Sequence, residues 1–324
     1  MSDTQTRDRI ALLIQVARMY YEDRRRQDEI AEAIGYSRPT VSRLLDEARL
    51  SGIVRFQVGH PLERTIMLEQ DLRSRFPDVR FHIAEDHVTA RVGRPVIRLA
   101  ASLLADVMGE HREIGVSSGR TLADVVAEAM HLPLIPSRDL TFVQLIGSTA
   151  PGSDAVDGAD LCQQFASVFG GRIHRLPAPL VARDLNAARM FREDATITEA
   201  MDRARAVDLA VVGIGRFMVR NVRDDILHGW TDVSARREAA RHGAVCHLLG
   251  QFADKDGNPI DTAINRRVIG ITLDELRKIP RVIAVATGAE KAPAILASLI
   301  GGYYDDLVVD YSTATRVLAL AKAG

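Results

Sequence analysis

Apolar residues in the first 50 positions recur at helical spacing in three segments. The first segment has the apolar stripe Ile10, Leu13, Ile14, Ala17, Tyr20 and Tyr21. The second has Ile30, Ala31 and Ile34. The third has apolar residues at i, i+3, i+4 and i+7, namely Val41, Leu44, Leu45 and Ala48. The pattern predicts three packed helices, with Gly35 in the turn between the second and the third.

Residues 27–51 have the spacing of a helix-turn-helix, which places its second helix in the major groove of DNA. Ser37 is predicted to cap that helix, and Pro39 in its first turn costs no intrahelical bond. We expect Arg38 and Ser42 to read bases, because Arg pairs with guanine through two hydrogen bonds and a hydroxyl serves several bases. Further DNA contacts are expected from Thr40, Arg43, Gln27, Pro39 and the run Arg24 to Arg26. The alternative is a three-helix packing unit with a solvated basic face.

The chain between residues 52 and 78 predicts a boundary between two domains. Gly52 ends the third helix, and Ile53 to Val58 are predicted to form a strand that could serve as a rudimentary wing. His60-Pro61 marks the boundary, and Leu62 to Phe76 form a connector helix. Its apolar side either pairs two subunits or docks on the second domain. We therefore divide the chain into a DNA-binding domain at 1–59, a linker helix at 60–78 and an effector domain at 79–324.

From Val79 onward, short apolar runs alternate with amphipathic segments. Strands are predicted at 79–84, 112–116, 140–146, 172–176, 208–213, 244–252, 281–286 and 306–309. Helices are predicted at 91–109, 120–131, 157–169, 195–206, 232–242, 289–299 and 311–322. This alternation is typical of an α/β fold with a mostly parallel sheet, in which ligands bind beyond the carboxyl ends of the strands.

Composition adds limits to this interpretation. The chain has 324 residues and a formal net charge of −1, so any DNA affinity depends on where its arginines lie. Lysine is scarce, and no apolar run approaches the ~18 residues of a membrane span. The N-terminus has no signal-peptide core, and Cys162 and Cys246 have no paired metal spacing. We expect a cytoplasmic protein with reduced cysteines, no metal and no cofactor.

Small residues follow several predicted strands, where backbone N–H groups can converge on an anion. The candidate effector-binding residues in these loops are Ser117, Ser118, Gly119, Arg120, Thr121, Gly147, Ser148, Thr149, Gly213, Gly215, Glu290 and Lys291, together with Asp254. Any one glycine loop could equally be a tight turn. Four loops on one edge, one of them with a scarce lysine, favour a phosphorylated or polyhydroxylated small ligand. His228 and Trp230 lie in a segment that could form a lid, and residues 254–258 are predicted to form a hairpin turn.

An enzyme is the alternative to a regulator. The chain lacks a GxxxxGK[ST] phosphate loop, so nucleotide hydrolysis is unsupported. Isomerase or deaminase chemistry requires a positioned general base. Glu290, Asp254 and Asp208 are the carboxylates predicted at the ligand edge, and none has an evident His partner. We therefore do not expect an enzyme.

Several blocks resemble the SorC/DeoR-type bacterial transcription regulators, which carry a sugar-binding effector domain. They are QDEIAEAIGYSRPTVSRLLDEAR from residue 27, GVSSGRTL at 115–122, GGRIHRLPAPL at 170–180, DLAVVGIG at 208–215, the long block 265–310 and the closing helix. The resemblance covers nearly the whole chain. The chain departs from the family pattern at Ser117-Ser118, where Gly and a bulky aromatic are usual, at Cys246-His247, where Gly-Asp is usual, and at Ala253, where Phe is usual.

The resemblance implies a Rossmann-like effector domain similar to the phosphosugar isomerase fold, and an oligomer, dimer or tetramer. On matching positions, it implies that Ser118 to Thr121, Gly147 to Thr149 and Lys291 hold the effector and its phosphate, with added contacts from Pro177 to Leu180. The expected function is a sequence-specific regulator that binds a double-stranded DNA operator. Its expected effector is a sugar, a sugar phosphate or a polyol.

Overall fold

The computed structural model describes residues 3–54, 63–85, 94–150, 154, 156–219 and 225–323. The chain divides into two compact units, Met1–Pro61 and Leu62–Gly324. Most of the predicted strand at 53–58 and the predicted boundary at His60-Pro61 lie outside the described residues. The predicted linker helix falls in the second unit, not between the two.

Three helices form the first unit: α1 (Asp3–Tyr21), α2 (Gln27–Ile34) and α3 (Arg38–Leu50). Their shared core contains Leu13, Val16, Ala17, Ile30, Ala31, Val41, Leu44, Leu45 and Ala48. The stripe predicted for the third helix is therefore confirmed. The stripe predicted for the first is partly wrong, because Ile10 and Ile14 are 45% and 38% exposed while Val16 is fully buried. The face of α1 that packs is thus rotated from the predicted one.

The turn between α2 and α3 has the predicted glycine and a different cap. Gly35 ends α2 with φ +72°, a left-handed conformation that suits glycine. Ser37 occupies the N-cap position of α3, but its side chain accepts no backbone N–H. Its hydroxyl instead lies 2.8 Å from the Thr40 hydroxyl. Ser37 therefore links two side chains of the first turn.

The second unit alternates strands and helices. Its strands are β1 (Arg80–Ala84), β2 (Glu113–Val116), β3 (Thr141–Gln144), β4 (Arg172–His174), β5 (Leu209–Gly213), β6 (Gly215–Arg216), β7 (Cys246–Leu248), β8 (Gln251–Ala253), β9 (Val282–Val285) and β10 (Asp306–Asp310). Its helices are α4 (Glu63–Arg75), α5 (Arg94–Val107), α6 (Arg120–Ala129), α7 (Gly158–Phe169), α8 (Leu185–Glu193), α9 (Ala195–Arg205), α10 (Val233–Arg241), α11 (Ala263–Arg267), α12 (Leu273–Leu276), α13 (Ala292–Ile300) and α14 (Tyr311–Ala323). Within the described ranges, none of the helices combines the length and apolar content needed to cross a membrane.

Seven strands form one parallel sheet in the order β1-β10-β9-β5-β2-β3-β4. Alternate residues of a strand enter opposite cores: Ala210 and Val212 join one apolar cluster, while Leu209 and Val211 join the other. Both faces of the sheet are therefore covered, as expected of a parallel sheet. Cys162 and Cys246 lie buried in these two separate clusters. The predicted α/β fold with a mostly parallel sheet is confirmed.

Helix α4 belongs to the second unit because its apolar side is buried there. Leu68 and Leu72 are 7% and 1% exposed and share a core with Phe81 of β1, and Phe76 packs on the same cluster. The guanidinium of Arg64 lies 4.8 Å from the centre of the Tyr311 ring on α14. Of the two predicted uses of this stripe, docking on the second domain is the one observed.

The single strand predicted at 244–252 is wrong. Residues 246–253 form an antiparallel hairpin, in which β7 turns into β8 at Leu249 and Gly250, with φ +51° and +74°. Two successive positive φ values characterise the tight turn that matches the twist of paired strands. Strand β6 pairs with β7, which gives a small three-stranded sheet. The sequence analysis also missed β6, α8, α11 and α12.

Candidate functional site

A cavity of about 340 Å³ opens at the carboxyl edge of the parallel sheet. Its wall is built from the loops after β2, β5 and β9, and from the β7–β8 hairpin. Nine of the predicted effector-binding residues meet there: Ser117, Ser118, Gly119, Arg120, Thr121, Gly213, Gly215, Glu290 and Lys291. The cavity also contains residues that were not predicted, namely Leu122, Ile214, Arg216, Met218, Asp225, Ile226, His247 and Leu249.

The loop after β2 leads directly into the start of α6. The Ser117 amide donates to the carbonyl of Val211, which extends the pairing of β2 with β5 by one residue. Gly119 has φ +124° and occupies the N-cap position of α6, a conformation that side chains disfavour. The first-turn amides of a helix have no intrahelical acceptor and attract anions. This end of the cavity is therefore suited to a negatively charged group.

The loop that carries Lys291 is held by Asp310, at the end of the neighbouring strand β10. Asp310 Oδ2 accepts hydrogen bonds from the Thr287 hydroxyl at 3.0 Å and the Gly288 amide at 3.1 Å. Burial alone would raise the pKa of Asp310, but hydrogen bonds from Ser312 and Thr313 outweigh it and lower the pKa. Asp310 is thus an ionised anchor that connects the start of α14 to the loop before Lys291.

A buried charged network holds Asp225 in the cavity wall. Arg236 is fully buried, and its Nη2 donates to Asp225 Oδ2 at 2.7 Å. The Arg236 guanidinium also donates to the Thr231 hydroxyl and the Met218 carbonyl, at 2.9 and 2.8 Å. Burial disfavours ionisation of Asp225, but the neighbouring His247 and Arg236 lower its pKa. The result is a fixed carboxylate at the cavity wall.

His247 lies next to this carboxylate. The sequence analysis noted it as a departure from the family pattern but did not list it among the effector-binding residues. Its Nε2 is 3.6 Å from Asp225 Oδ1. Burial lowers the pKa of His247, as do the charges of Arg236 and Lys291, although Asp225 opposes them. The imidazole is therefore neutral near pH 7. The available signal was the departure from the family pattern at Cys246-His247.

Four predicted effector residues do not line the cavity. Gly147 packs against the Pro177 to Leu180 loop, where a Cβ would stand 2.3 Å from the carbonyl oxygen of Pro179. The Thr149 amide donates to Asp157 at 2.7 Å, and the Ser148 hydroxyl reaches the same carboxylate at 3.4 Å. Asp254 accepts the amides of Asp256 and Asn258 in the predicted hairpin turn. The structure gives these four residues roles in local folding.

Two further expectations also change. Asp208 precedes β5, so it lies at the amino edge of the sheet, where it accepts the Arg112 amide at 3.0 Å. It was predicted at the opposite edge. His228 and Trp230 do not line the cavity, whereas Asp225 and Ile226, a few residues earlier in the same segment, do. Of the three carboxylates considered for an enzyme, only Glu290 reaches the cavity.

The predicted DNA-contacting residues lie just before α2, at its start and on α3. Arg38, Pro39 and Arg43 are exposed. Gln27, Thr40 and Ser42 are half-buried. Arg38 Nε lies 3.3 Å from Asp28 Oδ1 on α2, and both side chains are more than half exposed. An exposed pair of this kind contributes about 0–1 kcal/mol, so it does not prevent Arg38 from contacting another partner.

The fold and the cavity define a class of protein: a parallel α/β binding domain, with a polar cavity at the strand ends, preceded by a separate three-helix unit. The Sugar-bind family model, which describes a sugar-binding domain, matches residues 60–319. The chain is 32% identical to the transcriptional regulator LsrR of Klebsiella pneumoniae subsp. pneumoniae over 96% of this chain and 94% of that protein. It is 30% identical to the deoxyribonucleoside regulator of Bacillus subtilis over 96% and 98% of the two chains.

A solved structure has the same fold. The full-length sorbitol operon regulator SorC from Klebsiella pneumoniae superimposes with a TM-score of 0.70, covers 96% of this chain and 99% of its own, and is 23% identical. The chain belongs to the SorC/DeoR-type family of transcription regulators with a sugar-binding domain. Transcription regulation, and not the isomerase or deaminase alternative, is therefore the function of this family member.

Proposed function

We propose that this regulator binds an operator through α3 and that a sugar, a sugar phosphate or a polyol in the cavity controls the binding. The cavity carries the proposal, because nine residues chosen from the sequence for ligand binding line it together. Its volume of about 340 Å³ suits a small metabolite, since ligand pockets span roughly 300–1,000 Å³.

The charges in the cavity favour an effector with an anionic group. Arg120, Arg216 and Lys291 contribute three cationic side chains, and Glu290 and Asp225 contribute two anionic ones. The start of α6 adds the partial positive charge of a helix N-terminus. A phosphate at the Arg120–Lys291 end, with hydroxyl groups toward Asp225, would match this distribution. The family resemblance, which implies a Rossmann-like domain similar to phosphosugar isomerases, supports the same ligand class.

The arrangement of α2 and α3 supports a DNA-binding helix-turn-helix. Three residues separate the helices, and Gly35 makes the turn. Val41, Leu44, Leu45 and Ala48 bury one side of α3, and Arg38 and Arg43 remain exposed outside this core. A recognition helix contacts base edges through residues near its N-terminus, where Arg38 lies. Acting on DNA, the regulator works in the cytoplasm.

Control of DNA binding requires two states that the effector distinguishes. An effector shifts an equilibrium only by its difference in affinity for the two arrangements. We propose a homo-oligomer, a dimer or a tetramer, whose paired DNA-binding domains read half-sites about 34 Å or a multiple of that apart. The effector would change the spacing or orientation of these domains.

The experiment is a fluorescence-anisotropy titration of the full chain with DNA fragments from around its own gene, with and without a panel of pentose and hexose phosphates and polyols. Lys291→Ala should abolish the effector response and leave DNA affinity without effector unchanged. Lys278→Ala, which changes an exposed lysine outside the cavity, is the matched control. The proposal would be contradicted by a Lys291→Ala dose-response curve identical to that of wild type. It would also be contradicted if the wild type bound none of the DNA fragments specifically.

A further inference from the structure

Two polar atoms face each other across a short gap in the cavity wall. His247 Nε2 is 3.6 Å from Asp225 Oδ1, and both residues line the cavity. This distance exceeds that of a hydrogen bond, so the two atoms are not bonded to each other. We propose that the pair binds one hydroxyl group of the effector, an inference that rests on the proposed role of the cavity.

The carboxylate of Asp225 is fixed and retains acceptor capacity. Its Oδ2 accepts from Arg236 at 2.7 Å, and its Oδ1 accepts from the Leu227 amide at 2.9 Å. A carboxylate has about four acceptor positions, so Oδ1 can accept one more donor. The side chain is only 6% exposed, which means that bulk water competes weakly for that position.

His247 supplies the donor on the other side of the gap. The lowered pKa keeps its ring neutral, so one nitrogen carries a proton and the other does not. Its Nδ1 is buried and has no hydrogen-bond partner within the described ranges of the chain. A proton on Nδ1 would be unpaired in the interior, whereas a proton on Nε2 lies beside a carboxylate. Nε2 is therefore the protonated nitrogen.

A donor and an acceptor 3.6 Å apart select a group that accepts and donates at the same time. A hydroxyl oxygen accepts from His247 Nε2–H and donates its proton to Asp225 Oδ1. A keto oxygen or an oxygen of a dianionic phosphate has no proton to donate, and an ammonium group cannot accept. The pair therefore reads one hydroxyl of the effector, while the cationic side chains bind its anionic group.

The test compares full-length wild type, His247→Ala and His247→Gln by isothermal titration calorimetry. The probes are inorganic phosphate, the tightest-binding sugar phosphate of the panel, and the singly deoxygenated analogues of that compound. His174→Ala is the matched control, because His174 is half-buried on β4 and lies outside the cavity. Melting temperatures report whether each variant is folded.

Wild type and His174→Ala should bind one deoxy analogue at least about 10-fold more weakly than the parent, since a buried pair left without its partner is costly. His247→Ala should bind the two within about 2-fold and keep its affinity for phosphate. His247→Gln, which retains an N–H donor, should restore part of the discrimination. Undiminished discrimination in folded His247→Ala, or equal losses for parent, analogue and phosphate, would overturn the inference. A wild type that binds no sugar, sugar phosphate or polyol would overturn the proposed effector class itself.

Discussion

The imidazole of His247 lies directly over the backbone of Gly215. A Cβ at position 215 would stand 2.0 Å from His247 Nε2 and 2.1 Å from its Cε1. The two residues are paired neighbours of the β6–β7 ladder. Glycine at this position therefore makes room for the ring, a role different from the backbone ligand contact that the sequence suggested for it.

Gly215→Ala should displace His247 from the cavity wall. No Cβ is accommodated at 2.0 Å, so the ring must leave its position beside Asp225 Oδ1. We expect a loss of about 1–3 kcal/mol in the free energy of unfolding from overpacking. Effector affinity should fall by at least about 10-fold, the equivalent of 1.4 kcal/mol. Chemical denaturation and calorimetric titration measure the two effects.

Gly109→Ala provides the control for this substitution. A Cβ at position 109 meets no atom within 4 Å, and its backbone does not have positive φ. This variant should match wild type in both measurements. Full effector affinity in Gly215→Ala would show that the position of His247 does not matter for binding.

Asp310→Ala should weaken effector binding although Asp310 does not line the cavity. The carboxylate accepts from Thr287, Gly288, Ser312 and Thr313, so its loss removes an acceptor from these donors and frees the loop before Lys291. Each unsatisfied buried donor costs about 1–3 kcal/mol. We expect a destabilisation in this range and a several-fold loss of affinity for inorganic phosphate, measured by thermal unfolding and calorimetry.

Asp184→Ala separates loss of a helix cap from loss of the loop anchor. Asp184 caps α8 by accepting the Ala187 amide at 2.8 Å, and it lies outside the cavity. Its removal should cost about 1 kcal/mol of stability and leave phosphate affinity unchanged. Equal phosphate affinity in Asp310→Ala and wild type would refute the anchoring role.

Arg38→Ala and Arg43→Ala should affect DNA binding differently. Arg38 lies at the first residue of α3, and we expect it to contact a base, so its loss should cost about 1–3 kcal/mol on the operator and little on random duplex. Arg43 is expected to contact phosphate, so its removal should weaken both duplexes equally and reduce the salt dependence. Anisotropy titrations at several salt concentrations measure both. Equal losses on operator and random DNA for both variants would contradict the assignment.

The sequence predicted the long, periodic elements well. The core of α3 and most helices and strands of the parallel sheet were found because their apolar residues repeat at 3.6 or lie in uninterrupted runs. The sequence also predicted that the Ser117 to Thr121 loop and Lys291 lie together at the ligand edge of the sheet, and the reason is topological. The carboxyl ends of parallel strands meet at one edge, so residues far apart in sequence come together there.

The β7–β8 hairpin and the cavity residues Asp225 and His247 were not predicted, because their local sequence signals are weak. The run CHLLGQFA at 246–253 is mostly apolar, and its turn uses Leu249 in a left-handed conformation that leucine rarely adopts, so it resembled one strand. Asp225 and His247 reach the cavity through that hairpin and an irregular segment, which a sheet-edge argument cannot locate. The departures from the family pattern at Ser118 and His247 do lie in the cavity wall.

Asp306 forms an ion cluster at the amino edge of the sheet, away from the cavity. Its carboxylate is fully buried, and it pairs with Arg80 and Arg281 at 2.7 and 2.9 Å and with His82 at 2.8 Å. These residues lie on or beside β1, β10 and β9, so the cluster ties three neighbouring strands together. Burial alone would raise the pKa of Asp306, but the hydrogen bonds from His82, Arg80 and Arg281 lower it far below its usual value.

A carboxyl group whose pKa is lower in the folded state stabilises the protein above its unfolded pKa, which is about 3.9 for Asp. That stabilisation is lost as the pH falls below about 5 toward the lower, folded value. Asp306→Asn should therefore lose about 3–5 kcal/mol of stability at pH 7, because two arginines lose their buried partner. Its stability should also decline less steeply with acid than that of wild type.

Urea unfolding at a series of pH values between 3 and 7 tests this expectation. Asp202→Asn serves as control, because Asp202 is 66% exposed and pairs with Arg205 on the same helix. An exposed pair contributes about 0–1 kcal/mol, so this variant should follow the wild-type curve closely. If Asp306→Asn and wild type lose stability in parallel as the pH falls, protonation of Asp306 is not what weakens the sheet, and the acid sensitivity must come from other carboxylates such as Asp225 and Asp310.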